Sequence, residues 1–343
     1  MKTKLFVLLI IVVLLLSACA PSPAAEPEEP AKEGYTIAMV VKNLGNPFFE
    51  AAEKGGKEAA AELGDEFIFQ GPSTPTAEGQ IEIIDALIAQ KVDVIAITAN
   101  DPDALVPVCQ KAMDAGIKVV TWDSAVSSGG RDVFVNQADM EAIGRIQVQI
   151  LAEMIDYTGE IAVLSAASTM ANQNTWIEWM KEELKDPKYE KMELVTVVYG
   201  DDLREKSYTE AQGLFKSYPN LKGIISPTTV GIAAAGRALT DAGLCGQIAL
   251  TGLGLPSEMA EYIESGCCEG MALWNPIDLG YMATHVSHLM ASGEITGKPG
   301  ETLTVGKLGE RTIADDGAGG GMVMLGPPFV FNPDNIADWK DVY

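Results

Sequence analysis

The most constraining feature of this sequence is a regular alternation of short, continuously apolar runs with segments of helical periodicity, which begins at Tyr35. In the intervening segments apolar residues recur every three or four positions, as they do on one face of an α-helix. The apolar runs lack polar alternation, which is typical of strands in a parallel sheet that helices cover on both faces. In the first half of the chain these runs are YTIAMVV, EFIFQG, VDVIAITA, IKVVTWD and VFVNQ.

The second half repeats the pattern with the runs EIAVLSA, LVTVVYG, LKGIISP and QIALTGLG. Two consecutive sets predict an α/β protein with two doubly wound parallel-sheet domains. The boundary should fall near the stretch VNQADMEAIG, with residues 136–139 crossing between the domains.

In sheets of this kind ligands bind beyond the carboxyl ends of the strands. The residues that follow the predicted strands are rich in Asn, Asp, Lys, Gln and Thr. These side chains both donate and accept hydrogen bonds, so the edge is suited to a ligand with many hydroxyl groups.

The stretch after the first strand combines a helix start with two consecutive aromatic residues. Asn46 followed by Pro47 predicts a side-chain cap and a proline at the first helical position. Phe48 and Phe49 then point about 100° apart, so one ring can pack on the sheet while the other faces the ligand edge. Trp274, followed by Asn275, should reach the same crevice. Two flat apolar surfaces facing each other there would hold the C–H faces of a sugar ring.

Asp123, at the end of IKVVTWD, is the strongest single candidate for binding hydroxyl groups. One carboxylate can accept from two adjacent hydroxyls, and such charge-assisted bonds contribute about 1.5–3 kcal/mol each. Lys42 follows the neighbouring strand and could donate to a ligand oxygen or balance the charge of Asp123. The alternative for Asp123 is a cap of the following loop, and the alternative for Lys42 is a solvated surface lysine.

The N-terminus predicts export and anchoring. Lys2 and Lys4 precede an apolar run from Leu5 to Leu16, which is too short to span a membrane as a mature helix. The following Leu-Ser-Ala-Cys resembles the lipobox of bacterial lipoproteins, which implies cleavage after residue 18 and lipid on Cys19. Residues 19–34, rich in Pro, Ala and Glu, read as a flexible tether. The expected location is extracytoplasmic, with the membrane contacted only through the lipid.

Charge and side-chain chemistry exclude several function classes. The net charge of −24 argues against nucleic acid and anionic membrane surfaces as partners. No cysteine or histidine spacing fits a metal site, no nucleophile elbow or dinucleotide fingerprint is present, and no cofactor is expected. A disulfide from Cys245 to Cys267 or Cys268 is conceivable, but we expect neighbouring buried thiols. A carbohydrate-processing enzyme remains the alternative from another class.

Many separate stretches resemble one family. Among them are VKNLGNPFFEAAEKGGKEAAAELG, TWDSAV, NQNTWIEWMK, SYPNLKGIISPTTVGIAAAGRAL and ALWNPIDLGY. From about Tyr35 to the C-terminus the chain resembles the rhamnose-binding proteins of bacterial ABC importers, which are type I periplasmic sugar-binding proteins. The resemblance implies two domains joined by a three-strand hinge, with crossings near residues 136–139, 270–275 and 302–307. The N-terminal domain would be residues 35–137 plus 275–303, and the C-terminal domain residues 138–274 plus 304–343. The resemblance also implies a monomeric receptor that delivers rhamnose or a similar deoxyhexose to an ABC permease.

The chain is also similar to the autoinducer-2 receptors, and an autoinducer-2 receptor is the alternative function. The resemblance matches the ligand-contacting residues of those receptors to Lys42, Phe48, Asp123, Gln173, Pro227 and Trp274. Two positions depart from their pattern: Asn172 stands where they carry an aspartate, and Thr229 where they carry an alanine. Both departures fit the rhamnose-binding pattern better, because an asparagine can donate as well as accept.

Overall fold

The computed structural model describes residues 34–343. The predicted signal peptide, Cys19 and nearly all of the predicted tether lie outside the described residues. Within residues 34–343 no helix has the length and apolar character that crossing a membrane requires.

Strands and helices alternate along the described chain as the sequence pattern indicates. The strands are β1 (Thr36–Val40), β2 (Glu66–Gln70), β3 (Val94–Ile97), β4 (Lys118–Trp122), β5 (Val133–Asn136), β6 (Thr158–Ser165), β7 (Lys191–Tyr199), β8 (Leu221–Ser226), β9 (Ala249–Gly252), β10 (Met271–Leu273), β11 (Thr302–Val305), β12 (Gly309–Thr312), β13 (Ala314–Asp315), β14 (Gly321–Met324) and β15 (Phe329–Phe331). The helices are α1 (Pro47–Leu63), α2 (Ala77–Gln90), α3 (Val106–Asp114), α4 (Met140–Met154), α5 (Ala171–Glu183), α6 (Arg204–Ser217), α7 (Thr229–Ala242), α8 (Pro256–Glu264), α9 (Pro276–Ser292) and α10 (Ile336–Trp339).

The first lobe is built on a sheet with the strand order β13-β14-β5-β4-β3-β1-β2. Its pairs are parallel except for β13 with β14. Alternate residues of β1 face opposite sides: Ile37 and Met39 pack in the core that includes α1 and α9, whereas Ala38 and Val40 pack with α2 and α3. Both faces of the sheet are therefore buried, which explains the continuous apolar runs.

The second lobe contains a parallel sheet with the order β7-β6-β8-β9. Helices α4 and α5 pack against each other, as do α6 and α7. An isolated bridge between Leu253 and Ala272 extends the sheet to β10, which pairs antiparallel with β15. The predicted α/β class with two doubly wound parallel-sheet lobes is confirmed.

The C-terminal part of the predicted domain division is wrong. Residues 304–343 were assigned to the C-terminal domain, yet β14 pairs with β5 in the first sheet. The third crossing therefore lies between Met324 and Phe329, not near residues 302–307. The physical reason is that β11 and β12 form a local hairpin, and β13 and β14 form a second one around the glycine-rich turn. These hairpins keep the chain on the first lobe before it returns.

The expectation of free neighbouring thiols is also wrong. Cys245 and Cys267 form a disulfide, with their Cα atoms 4.5 Å apart. It joins the turn after α7 to the turn after α8, while Cys109 and Cys268 stay as buried thiols. Burial raises the pKa of both thiols to about 12, so they are unreactive at neutral pH. A stable disulfide agrees with folding in an oxidising compartment.

Two glycines allow α1 and α9 to pack with their backbones in contact. A Cβ on Gly280 would lie 2.0 Å from the carbonyl oxygen of Ala52, and a Cβ on Gly55 would lie 1.8 Å from that of Ile277. These neighbours are backbone atoms and cannot rotate away. The close packing fixes the position of α9, whose first residues adjoin the crossing from β10.

We therefore expect Gly280→Ala to lower the free energy of unfolding by at least about 1–3 kcal/mol, because the helices must separate. The matched control is Gly213→Ala on α6, where a Cβ meets nothing within 4 Å. That substitution should stabilise the protein by about 0.5–1 kcal/mol through helix propensity. Urea unfolding followed by circular dichroism measures both. Equal effects of the two substitutions would contradict the packing argument.

Candidate functional site

A cavity of about 40 Å³ lies where the carboxyl ends of the strands of both lobes meet. Ten of the eleven residues expected to bind ligand line it, together with five that sequence reasoning did not select. The lining residues are Lys42, Asn46, Phe48, Phe49, Asp123, Asn172, Gln173, Trp176, Asp202, Pro227, Thr228, Thr229, Leu253, Leu273 and Trp274.

Asp123 is the centre of the first-lobe wall. It follows β4 with a φ of 57°, in the left-handed region that a non-glycine residue adopts at a cost. Its Oδ2 atom accepts hydrogen bonds from Lys42 Nζ at 2.9 Å and from Thr98 Oγ1 at 2.8 Å. Lys42 is 4% exposed, so it is a buried ion-pair partner and not a solvated lysine. The carboxylate keeps Oδ1 turned towards the second lobe.

Asn172 and Gln173 form the opposing wall at the start of α5. Gln173 Oε1 accepts from Ser165 Oγ at 2.7 Å and from the Ala166 amide at 2.9 Å, which fixes the orientation of its side-chain amide. Its Nε2 group is then left as a donor at the cavity wall. Asn172 Nδ2 lies 3.5 Å from Asp123 Oδ1, a long hydrogen bond that spans the two lobes. The lobes are thus closed on each other.

The two consecutive phenylalanines make different contacts, one with the first sheet and one at the cavity. Phe49 packs on Trp122 of the first sheet with an interplanar angle of 90°, whereas Phe48 meets Trp274 edge to face at 85° with ring centroids 6.1 Å apart. The expectation of two flat surfaces facing each other is therefore wrong. The rings form an apolar corner, to which Trp176 adds a third face 5.8 Å from Trp274.

The structure places Asn275 in a structural role and outside the cavity lining. Its Oδ1 atom accepts from the amides of Ile277 and Asp278 at 2.9 and 3.3 Å, and its Nδ2 donates to the Asp278 carboxylate. Asn275 is therefore the N-cap of α9, and both polar atoms of its side chain form hydrogen bonds within the first turn of that helix. Asn46 also caps its helix, by accepting from the Phe48 amide at 3.0 Å, but it lines the cavity as well.

The lining residues that sequence reasoning missed have recognisable signals. Trp176 lies four residues after Asn172 on α5, so it shares that helix face. Thr228 stands between Pro227 and Thr229, which were both selected. Asp202 is the second of two aspartates that follow β7 closely, and such a position at the ligand edge is its signal. Leu253 and Leu273 carry no signal, because apolar residues at strand ends are ordinarily core.

Asp202 is the second carboxylate at the cavity. It is 9% exposed, and its Oδ1 atom accepts a hydrogen bond from Thr228 Oγ1. Burial raises the pKa of Asp202, and the nearby Asp123 raises it further, while the Thr228 hydroxyl and Lys42 act in the opposite direction. Ionisation of Asp202 is therefore less favourable in the folded protein than in the unfolded chain.

Comparison with known proteins agrees with this geometry. A family model described as "Periplasmic binding protein domain" matches residues 37–295. The D-ribose/D-allose-binding protein of Pseudomonas aeruginosa is 29% identical over 255 residues, which cover 70% of this chain and 77% of that protein.

Solved structures are similar over nearly the whole described chain. An ABC transporter solute-binding protein from Clostridium phytofermentas with bound L-rhamnose is 43% identical, with a TM-score of 0.88, and covers 90% of this chain and 99% of its own. LsrB from Clostridium saccharobutylicum in complex with AI-2 has a TM-score of 0.84 at 23% identity, with 89% and 99% covered, and shows the fold alone.

Asp202→Asn should change the pH dependence of stability. A carboxyl whose pKa is raised by folding contributes fully below its ordinary value of 3.8 and loses that contribution as the pH rises through the folded value. Asparagine keeps an acceptor for Thr228 and removes the buried charge. The variant should therefore gain stability over the wild type progressively as the pH rises above about 4.

Urea unfolding of the ligand-free protein at a series of pH values measures the difference. The control Asp201→Asn changes a side chain that is 46% exposed and should alter the free energy of unfolding by less than about 0.5 kcal/mol throughout. A constant difference between Asp202→Asn and the wild type over the pH series would show that folding does not raise this pKa.

Proposed function

This chain belongs to the periplasmic binding protein family, as a sugar-binding protein of ABC transporters and not an enzyme, and on that premise we propose that its ligand is a deoxyhexose such as rhamnose. The protein would act as a lipid-anchored, monomeric receptor outside the cytoplasm that delivers this sugar to an ABC permease. The ligand-binding residues are Lys42, Asn46, Phe48, Phe49, Asp123, Asn172, Gln173, Pro227, Thr229 and Trp274, all at the cavity.

The observation that carries the proposal is that both polar and apolar side chains line the cavity. Carboxylates and amides of both lobes, among them Asp123, Asn172 and Gln173, supply acceptors and donors for hydroxyl groups. Leu253, Leu273 and the aromatic rings supply apolar surface to the same cavity. A deoxyhexose presents both surfaces, since it carries several hydroxyls and one methyl group. The rhamnose-bound relative at 43% identity supports the same assignment.

The autoinducer-2 receptor is the second candidate, and the second-lobe wall argues against it. Asn172 stands where the autoinducer-2 receptors carry an aspartate, and its Nδ2 group donates towards Asp123 Oδ1 across the cleft. An aspartate at that position would place two carboxylates against each other. Thr229, where those receptors carry alanine, adds a hydroxyl at the cavity. Both side chains suit a ring with several hydroxyl groups.

The proposed mechanism is ligand-induced closure of the two lobes. A sugar that contacts Asp123 on the first lobe and Asn172 on the second binds the closed state in preference to the open one, and so shifts the population towards closure. Buried aromatic and polar side chains from both lobes then exclude water from the ligand. The permease would recognise the closed form.

We expect L-rhamnose to bind more tightly than autoinducer-2, and Asp123→Asn to weaken rhamnose binding by about a hundredfold. The loss corresponds to about 3 kcal/mol, because charge-assisted hydrogen bonds are lost and Lys42 is left buried without its partner. Asparagine tolerates the left-handed backbone at this position, so strain is not added. Isothermal titration calorimetry with both ligands measures the affinities.

Asp85→Asn is the matched control, because Asp85 lies on α2 of the same lobe and pairs with Lys111 in solvent. It should leave the affinity unchanged. Tighter binding of autoinducer-2 than of any deoxyhexose would overturn the first choice and support the alternative receptor.

The lipid anchor is a separate part of the proposal and rests on the lipobox resemblance at Cys19, outside the described residues. Cys19→Ser should release the protein from membranes while rhamnose binding stays unchanged, since two or three acyl chains on one residue anchor firmly. Membrane fractionation after a high-salt wash measures the distribution, with Cys109→Ser as the control that keeps the anchor. A serine variant at position 19 that stays membrane-bound would contradict the lipobox interpretation.

A further inference from the structure

We propose that Asp202 contributes to ligand specificity from the second lobe, because its Oδ2 atom accepts a hydrogen bond from a hydroxyl group of a neutral monosaccharide. Asp123 accepts hydrogen bonds from other hydroxyl groups of the same sugar on the first-lobe side. The inference rests on the proposed function, because it takes a monosaccharide as the ligand. It adds to that function a ligand contact from the second lobe.

The backbone separates the two consecutive aspartates that follow β7. Asp201 and Asp202 have φ values of 52° and 54°, so both lie in the left-handed region. Asp201 turns outward, where it pairs with Lys206 and its side chain is 46% exposed. Asp202 turns inward and lines the cavity. Two strained residues in succession place one carboxylate at the site and leave its neighbour in solvent.

The hydrogen bonds of Asp202 leave one oxygen for a ligand. Thr228 Oγ1 donates to Oδ1, whereas Oδ2 has no hydrogen-bond partner among residues 34–343. An ionised carboxylate accepts only, through both oxygens. Asp202 Oδ2 is not one of the fully buried atoms that lack a partner, so it keeps accessible surface at the cavity, where a ligand can reach it. A hydroxyl group that donates to Oδ2 satisfies this acceptor when the lobes close around the ligand.

The charges at the cavity specify the kind of donor. Lys42 is the only cation among the lining residues, and its ammonium group already contacts Asp123 Oδ2 at 2.9 Å. Asp202 therefore has no cation in direct contact, and burial raises the pKa of its carboxyl group. An anionic sugar would add a further negative charge beside two carboxylates. A neutral hydroxyl supplies the hydrogen bond without that repulsion, so the site favours uncharged sugars.

The test compares the wild type, Asp202→Asn and Asp201→Asn by calorimetry with L-rhamnose and its 2-, 3- and 4-deoxy analogues. Asp202→Asn should bind L-rhamnose about tenfold more weakly, because a neutral hydrogen bond replaces a charge-assisted one. One deoxy analogue should lose affinity in the wild type, and this loss should be at least about threefold smaller in Asp202→Asn. Asp201→Asn removes the same charge one residue away and should match the wild type.

If Asp202 has only a structural role, Asp202→Asn should lower the affinity for all four sugars by one common factor. That result would overturn the inference while leaving the proposed function intact. If the wild type binds D-ribose and not L-rhamnose, the rhamnose assignment is wrong. The same comparison with 2-deoxy-D-ribose then decides the role of Asp202. A wild type that binds no monosaccharide would overturn both the proposed function and this inference.

Discussion

Three adjacent strand ends meet at one carboxylate, and the arrangement of the cleft follows from that meeting. Asp123 follows β4, Thr98 follows β3, and Lys42 follows β1, which are neighbours in the first sheet. All three contribute to the hydrogen bonds at Asp123 Oδ2. Burying such an ion pair costs desolvation free energy that an apolar replacement would avoid. The pair holds the carboxylate in a fixed position, with Oδ1 facing the cleft, where Asn172 Nδ2 lies 3.5 Å away.

The parts of the fold that depend on local sequence were predictable. Continuous apolar runs identified the strands because both sheet faces are buried, and Asn46 with Pro47 marked the start of α1 because caps are local. The ligand edge followed from the rule that parallel strands end together, so the side chains after those strands could be selected. Most of the predicted site residues line the cavity for this reason.

Errors arose where a side chain's direction or a strand's partner depends on distant contacts. Asp202 faces the cavity because Asp201 and Asp202 both have left-handed backbone conformations. The spacing of apolar residues in the sequence does not predict such conformations. From the sequence, the Asn275 side chain could either face the cavity or cap its own helix, and in the structure it caps the helix. The strand β14 joins the first sheet partly because Arg131 pairs with Asp316 across the chain, a contact between residues far apart in sequence.

The left-handed backbone at Asp123 and Asp202 restricts how this binding site can evolve. At such a φ only glycine, asparagine and aspartate are well tolerated, so a single substitution at either position has few stable outcomes. Asn172 and Thr229 lie on regular helices and have no such restriction. Changes of sugar preference within this fold are therefore expected to accumulate at the second-lobe helix starts. We expect the two aspartates to change more slowly than the rest of the cavity lining.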